Sequence, residues 1–504
     1  MTPTVFHESS KNFDWRIPRR TFGAVLAGSF GSFCSGCAVN PVTGDQQIIL
    51  MSTEEERRIG AAEHPKILKE FGGAYEDPKV SGYIATIGGR LAATTELADA
   101  RFTFTVLNSP IVNAMALPGG YVYVTRGLLA LAQNEAEAAG VIGHEIGHVV
   151  ARHTAARASR AQVTQFGLIG LSILGSAAGL PSGTGRFVNA LATMHLQSFS
   201  RRQEFEADKL GIRYMSRAGY DPEAMGSFLA QLRSHSALRA RIDGRPAGSV
   251  DEFDIMATHP RTLDRISRAA EAAGPKPPHA RNLHSKAFHA AIDGMVFGDD
   301  PDFGVIRGSS FLHRALRFRF EVPEGFRLIN RPQAVIALNE SIRSTIVFDI
   351  DTRRVGGPLT GYIVRDWAKR RLRDVERLSV NGLPAAIGWQ ISDSKRGRMV
   401  VRLLAIRGEP NQIFRFLFIS PLAVTDRLAE SFRRTTYSFR KLSIKKAAQI
   451  LPHRLSIQKR RGANLKDLVA QMQVDSHADS WFELLNGLVS GRRFNADDTV
   501  RLVV

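Results

Sequence analysis

The stretch GVIGHEIGHVVARH, residues 140–153, places ionisable side chains in a segment that otherwise has the composition of a buried helix. Asn134 is a favourable N-cap residue, and Glu135 and Glu137 follow it where a helix stabilises acidic groups, so we expect a helix from there to about residue 158. Burying histidine or glutamate costs free energy unless the group is paired or hydrogen-bonded. The run therefore indicates that this helix has a chemical role.

His144 and His148 are four residues apart, and four helical steps of about 100° bring both imidazoles to the same face. Two neutral imidazole nitrogens on one face can bind one Zn²⁺ at about 2.0–2.1 Å. Glu145 lies one step round the helix, where its carboxylate can reach a zinc-bound water and act as general base. His153 is rotated off this face, so we leave it out of the ligand set. The alternative is a helix with two satisfied core histidines.

Gly143 and Gly147 lie inside this predicted helix, where glycine lowers helix stability relative to alanine. A residue without a side chain is useful in a helix where another element must approach closely. The two glycines therefore predict a close contact beside the histidines.

A catalytic zinc site needs a third protein ligand and one open position. The stretch SRRQEFEADKLG, residues 200–211, offers three carboxylates on a predicted helix. Glu204 and Asp208 share a face, whereas Glu206 points about 200° away from Glu204. We therefore expect Glu204 to be the third ligand and Asp208 to accept the N–H of a ligand histidine. We expect Glu206 to be a solvated charge.

The two motifs together resemble those of the CAAX prenyl protease and HtpX group of zinc metallopeptidases, and in particular its soluble periplasmic branch. Three further stretches are similar to that branch: CAVNPVTGDQQ (37–47), NAMALPGGYVYVTRGLL (113–129) and ATHPRTLDRI (257–266). The resemblance covers residues 37–273. It implies a mainly helical, zincin-like metallopeptidase domain with a small sheet and one zinc ion per chain.

The same resemblance implies roles for residues outside the two helices. His259 would stabilise the oxyanion or occupy the open zinc position as a latch; without the resemblance it would be a surface histidine before a turn proline. Arg265 would polarise or hold the site. An extended substrate would pair with a sheet edge through main-chain hydrogen bonds. That edge strand consists of Asn113, Ala114, Met115 and Ala116.

The N-terminal sequence resembles a bacterial export signal. The basic stretch RIPRR (16–20) precedes a short apolar run that ends in small residues and in both cysteines of the chain, Cys34 and Cys37. We expect residues 1–36 to be a lipoprotein-type signal and Cys37 to carry the lipid. This would tether the protein on the periplasmic side of a Gram-negative envelope, at the outer membrane. A redox dithiol is the alternative.

The composition is that of a globular protein with a strongly basic surface. The chain has 504 residues, 44% of them hydrophobic and 23% charged, and a formal net charge of +19. A charge of this size suggests anionic partners such as lipid phosphates, cell-wall polymers or nucleic acid. The export signal argues against nucleic acid.

The sequence changes character after the boundary stretch GPKPPH, residues 274–279. We assign residues 37–275 to the metallopeptidase domain. Residues 285–442, with strand-like runs around one predicted helix at 361–375, form an α+β accessory domain of unassigned role. Residues 450–504 faintly resemble a LysM module, a small βααβ unit that binds peptidoglycan or chitin. The usual Gly-Asp-Thr of its first turn is replaced by Gly462-Ala463-Asn464.

The fold class we predict is a multidomain α+β protein. The function we predict is a zinc endopeptidase that degrades misfolded or stalled envelope proteins in protein quality control. Its partners would be unfolded or misassembled envelope proteins, the membrane through the N-terminal lipid, and peptidoglycan. The alternative is a chaperone-like or cell-wall-binding scaffold of the envelope with a latent zinc site.

Overall fold

The computed structural model describes residues 37–39, 42, 44, 46–49, 51–97, 100–159, 199–244, 262–273, 284–368, 371–394, 397–488 and 498–504. The expected export signal 1–36, the boundary stretch 274–279 and His259 lie outside these residues. For Cys37 the backbone alone is described. Within the described parts, no helix is both long enough and apolar enough to cross a membrane.

The N-terminal region consists of a hairpin, two helices and a three-stranded sheet. Its elements are β1 (Cys37–Val39), β2 (Gln46–Ile48), α1 (Thr53–Glu70), α2 (Pro78–Ala92), β3 (Thr103–Leu107), β4 (Ala114–Leu117) and β5 (Tyr121–Thr125). The sheet has the order β3-β5-β4, with β3 parallel and β4 antiparallel to the central β5. Gly119 and Gly120 join β4 to β5 with φ of 81° and 90°, values that favour glycine. This tight turn leaves β4 at the edge of the sheet.

The helices that carry the candidate site follow this sheet. They are α3 (Arg126–Leu131), α4 (Glu135–Val150), α5 (Arg201–Arg217), α6 (Glu223–Ile242) and α7 (Thr262–Ala273). Every residue of α4 except Val149 is buried, and its apolar side chains share one core with those of α2, α5 and α6. Asn134 caps α4 as the sequence predicts. The helix ends at Val150, however, and residues 153–159 form a separate helical segment after a turn.

Two short elements connect this helical region to the next: α8 (Ser285–Ile292) and β6 (Val296–Phe297). From the sequence, we expect both elements to belong to the accessory domain 285–442. In the structure, Phe288 and Ile292 of α8 lie in the core that contains α2, α4 and α6. The accessory sheets begin only after β6.

Residues 305–441 form two antiparallel sheets that share a core rich in phenylalanine. The elements are β7 (Val305–Arg307), β8 (Ser310–His313), β9 (Phe318–Glu321), β10 (Arg327–Arg331), β11 (Ala334–Asn339), β12 (Ser344–Asp351), α9 (Leu359–Tyr362), β13 (Arg373–Val380), β14 (Leu383–Ser394), β15 (Gly397–Arg407), β16 (Ile413–Pro421), α10 (Thr425–Ser438) and β17 (Arg440–Lys441). The larger sheet has the order β10-β11-β12-β16-β15-β14-β13, and the smaller one β17-β9-β8-β7.

The single helix predicted over 361–375 is wrong in its second half. The chain is α-helical to Tyr362 and π-helical over Ile363–Trp367, and Arg373 begins strand β13. The register of β13 shifts between Arg373 and Glu376. A bulge of this kind adds one residue, so that Leu372 and Val375, three residues apart, contact the same apolar cluster. Apolar residues three positions apart also lie on one face of a helix, so the spacing of Leu372 and Val375 is the same as in a helical pattern.

The C-terminal elements are α11 (Ile444–Ala448), β18 (His453–Lys459), α12 (Leu465–Val469), α13 (Ala478–Leu485) and β19 (Thr499–Val503). The order strand, helix, helix, strand is the one that the sequence predicts for 450–504. β18 pairs antiparallel with both β19 and β6. Phe482, Leu485 and Leu502 lie in the same apolar core as α2, α4 and α6. The unit is therefore packed onto the helical region rather than standing apart from it.

Candidate metal centre

The site is built on a close crossing of α4 and α5. A Cβ added at Gly147 would lie 2.9 Å from the carbonyl oxygen of Ala207, and one added at Gly211 would lie 2.9 Å from the backbone nitrogen of His144. Carbon atoms do not approach backbone atoms this closely, so side chains at these positions would force the helices apart. The glycines thus allow residues of both helices to meet, as the sequence predicts for Gly147.

His144 and His148 of α4 meet Glu204 of α5. All three are buried, and one possible ligand atom from each lies within 4.8 Å of the others. The Nε2 atoms of the two histidines are 3.1 Å apart, and they lie 3.6 and 3.5 Å from the carboxylate oxygens of Glu204. Two imidazole nitrogens and one carboxylate oxygen form a donor set used by catalytic zinc sites. The residues therefore fit Zn²⁺.

Asp208 and Arg265 hold the cluster on the side of His144. Oδ1 of Asp208 lies 2.8 Å from Nδ1 of His144, so it accepts that N–H and leaves Nε2 to bind a metal. Arg265 donates from Nε and Nη2 to the two oxygens of Asp208, at 2.8 and 2.7 Å. Its Nη1 lies 3.0 Å from Oε2 of Glu204. Of the two roles that the resemblance implies for Arg265, this geometry favours holding the site.

Asp208 and Arg265 stabilise each other in their charged forms. Burial would raise the pKa of the Asp208 carboxyl, but the charge and hydrogen bonds of Arg265, together with those of His144, hold that pKa below its usual range. Burial would lower the pKa of Arg265, but the charges of Asp208 and Glu204 raise it instead. Asp208 is thus an anion at neutral pH and a permanent acceptor for His144.

A different set of contacts holds His148. Its Nδ1 is 3.0 Å from Nδ1 of His153, whose Nε2 lies 3.3 Å from Oε2 of Glu206. Phe199 stacks on the His148 ring with the centroids 3.9 Å apart. The expectation that Glu206 is a solvated charge is wrong, because its side chain is only 12% exposed and contacts the buried His153. His153 thus lies beside the candidate ligand His148, a position that we did not expect from the sequence.

A turn explains why His153, which helical geometry leaves out of the ligand set, nevertheless lies beside His148. Arg152 has a φ of 55°, so the backbone leaves the helical path between His148 and His153. Nε of Arg152 donates to Oε1 of Glu56 at 2.8 Å, and Nη2 donates to the carbonyl oxygen of Met51 at 2.9 Å. These contacts stabilise a conformation that costs on the order of 1–3 kcal/mol outside glycine. Arginine is not a residue that signals positive φ, so the sequence contains no clear sign of this turn.

Glu145 lies at a narrow crevice next to the cluster. Glu145, which is 2% exposed, lines this crevice together with His144 and Arg265. Asn113 and Ala114 line it from the start of the edge strand β4, while Met115 and Ala116 continue that strand. The remaining lining is apolar and consists of Leu128, Val141, Met225, Phe228, Leu229 and Leu232. The predicted base, a predicted ligand and part of the predicted substrate strand thus share one space.

Comparisons with known proteins agree with this geometry. Residues 78–273 match Peptidase family M48. The beta-barrel assembly-enhancing protease of Escherichia coli K12 is 33% identical over 277 residues, which cover 53% of this chain and 53% of that protein. The protein of the same name from Yersinia pestis is 34% identical over 209 residues, covering 40% of this chain and 41% of that protein. Mitochondrial metalloendopeptidase OMA1 of Schizosaccharomyces pombe is 27% identical over 266 residues, covering 52% and 72%.

The chain spans about half the length of the bacterial relatives it matches. Among solved structures, cyanobacterial PsbP from Synechocystis matches with a TM-score of 0.20 at 12% identity, covering 30% of this chain and 93% of that one, which is too weak for an argument. The family match, by contrast, includes the ligand cluster, Glu145, Asp208, Arg265 and the edge strand. The part of the chain that is similar to peptidase family M48, residues 78–273, is therefore the part that carries the candidate metal centre.

Proposed function

We propose that this chain is a zinc-dependent endopeptidase. The observation that carries the proposal is the buried group of His144, His148 and Glu204, with Glu145 beside it at an apolar crevice. Support comes from the family M48 match over these residues and from relatives that are named proteases and metalloendopeptidases. We further propose that the chain belongs to the HtpX-like group of these peptidases, on the basis of the motifs quoted from residues 37–273.

In the proposed reaction, Nε2 of His144, Nε2 of His148 and the Glu204 carboxylate would hold one zinc ion. Zinc held there would lower the pKa of a water molecule and would polarise the substrate carbonyl. The Glu145 carboxylate accepts the proton of the attacking water and delivers it to the leaving amide nitrogen. His144 keeps its Nδ1 proton throughout and donates it to the Asp208 carboxylate. The oxyanion or latch role of His259 rests on the family resemblance.

The substrate would bind as an extended strand along Asn113, Ala114, Met115 and Ala116. The edge position of β4 supports this, because a strand at a sheet edge can pair with a peptide through main-chain hydrogen bonds. The apolar lining of the crevice would contact an apolar side chain near the cleaved bond. Both modes of binding require an exposed, extended chain, so we infer that the substrates are unfolded proteins.

We propose that the activity serves protein quality control on the periplasmic side of a Gram-negative envelope. The relatives from Escherichia coli and Yersinia pestis are named for enhancing β-barrel assembly, which supports this setting. Lipidation of Cys37 would anchor the chain at the outer membrane, and mass spectrometry of the mature N-terminus tests it. Binding of isolated peptidoglycan tests the LysM-like assignment of 450–504.

Substitution of the proposed base tests the mechanism. Glu145→Gln should retain one zinc per chain and lose at least about 100-fold in casein cleavage, because the carboxylate can no longer accept the proton. His144→Ala should lose both zinc and cleavage. Glu271→Gln replaces an exposed carboxylate on α7 and should change neither. Full cleavage by zinc-bound Glu145→Gln would contradict the mechanism, and rescue of a deletion strain by this variant would favour a scaffold function.

A further inference from the structure

We propose that His153 and Glu206 form a proton-ordered chain that fixes His148 in the tautomer able to bind metal. The proposal deepens the proposed zinc site and rests on it. Nδ1 of His148 lies 3.0 Å from Nδ1 of His153, and Nε2 of His153 lies 3.3 Å from Oε2 of Glu206. These two contacts connect His148, in the candidate metal cluster, through His153 to the carboxylate of Glu206 on α5.

The identity of the terminal group sets the position of each proton in this chain. An ionised carboxylate accepts hydrogen bonds and donates none, so Nε2 of His153 carries its proton toward Glu206. In a neutral imidazole the other nitrogen then has a lone pair, so Nδ1 of His153 accepts from Nδ1–H of His148. Nε2 of His148 is left with its lone pair facing Glu204 and His144.

Burial of both rings enforces this placement of the protons on His148 and His153. The side chains of His148 and His153 are both 0% exposed, so solvent does not offer either ring an alternative partner. Two N–H groups, or two lone pairs, facing each other across 3.0 Å would leave both rings without a satisfied hydrogen bond there. Phe199, stacked on His148 at 3.9 Å, also opposes rotation of the ring.

The two ligand histidines are therefore positioned by different chemistry. His144 donates directly to the carboxylate of Asp208, which Arg265 holds. His148 donates to a neutral imidazole, and the carboxylate of Glu206 lies one residue further out. Because outer partners of metal ligands orient the ring and fix its tautomer, removing one typically lowers metal affinity about 10–100-fold. His153 and Glu206 are thus positioning residues for His148.

The test measures metal affinity independently of cleavage. Zn²⁺ affinity is determined by competition with a chromogenic chelator, and the ligand field is read from the visible spectrum of the Co²⁺-loaded protein. His153→Leu and Glu206→Ala should each lower Zn²⁺ affinity about 10–100-fold and alter the Co²⁺ spectrum. Glu206→Gln keeps an acceptor oxygen and should stay near the parent. Glu271→Ala, on the exposed face of α7, is the matched control.

Thermal melting of the metal-free proteins separates loss of fold from loss of affinity. Because His153 is fully buried, the two substitutions of Glu206 remain informative if His153→Leu does not fold. A folded Glu206→Ala protein with parental Zn²⁺ affinity and an unchanged Co²⁺ spectrum would overturn the proposal. A parent that binds Zn²⁺ but hydrolyses nothing would overturn the proposed function alone, since the affinity measurement does not use cleavage.

Discussion

Arg265 is the residue on which the charge balance of the site depends. Its side chain is 2% exposed and contacts two carboxylates, Asp208 and Glu204, that are equally removed from solvent. Removing one member of a buried ionic group leaves an uncompensated charge, which costs more than the pair itself contributes. Arg265 therefore stabilises the packing of α7 on α5 and holds the proposed ligand Glu204 in place.

Substitution of Arg265 should show this cost. Arg265→Leu should lower the free energy of unfolding of the zinc-free protein by about 3–5 kcal/mol, measured by urea denaturation. Arg265→Lys keeps the charge but loses the two-pronged contact with Asp208, so an intermediate loss is expected. Arg268 on the same helix is exposed, and its guanidinium group lies over the ring of Phe205, 4.1 Å from the centroid. Arg268→Leu should cost less than about 1 kcal/mol. Equal losses for Arg265→Leu and Arg268→Leu would contradict this account.

At the scale of elements, glycine residues allow α4 and α5 to pack with their backbones in close contact. Gly147→Ala would place a methyl group 2.9 Å from the carbonyl oxygen of Ala207, so the helices must separate. We expect a loss of about 1–3 kcal/mol in the free energy of unfolding, typical of overpacking, together with weaker Zn²⁺ binding.

The matched control for this substitution is Gly89→Ala. Gly89 is an exposed helical glycine of α2, and no atom lies within 4 Å of an added Cβ. Because alanine has the higher helix propensity, this substitution should stabilise the protein by about 0.4–1 kcal/mol. The two substitutions should therefore have opposite signs in the same denaturation assay. A stabilising Gly147→Ala would show that the helices are not in contact there.

The sequence could predict those parts of the site in which the side chains come from a single helix. The spacing of His144 and His148, and of Glu204 and Asp208, determines which side chains share a face whatever the rest of the chain does. The contact between His153 and His148 could not be predicted, because the backbone departs there from regular helical geometry. Arg152, with its φ of 55°, turns His153 back toward the site, and tertiary contacts rather than local propensity hold that turn.

At the scale of the whole molecule, the C-terminal unit contacts the segment that leads into α4, the helix of His144 and His148. Arg501 of β19 is 2% exposed and donates to the carbonyl oxygens of Ala132 and Gln133, at 2.6 and 2.8 Å. These residues directly precede Asn134, the N-cap of α4. The sequence alone could not predict this packing, because it depends on complementary surfaces more than 350 positions apart in the chain.

The interface between α6 and α13 should make the stability of the protein depend on pH. His235 of α6 lies beside Trp481 of α13, with the ring centroids 5.9 Å apart, and Gln231 donates to the carbonyl oxygen of Leu484. Burial, reinforced by the positive charge of Arg239, lowers the pKa of His235 to about 3. The unfolded chain therefore takes up a proton near pH 6.5 that the folded protein does not bind until about pH 3.

It follows that His235 destabilises the fold as the pH decreases below about 6.5, and that this effect is absent at higher pH. Between pH 7.5 and pH 5.0 the contribution to the free energy of unfolding is a loss of about 2 kcal/mol. His235→Phe should remove that loss, as measured by urea denaturation at both pH values, because phenylalanine does not titrate.

Effects of pH on the proposed zinc ligands cancel in the comparison of His235→Phe with the parent. His477→Asn replaces an exposed histidine that directly precedes α13 and should keep the parental pH dependence. If His235→Phe loses as much stability as the parent on acidification, the interface between α6 and α13 is not the origin of the acid sensitivity.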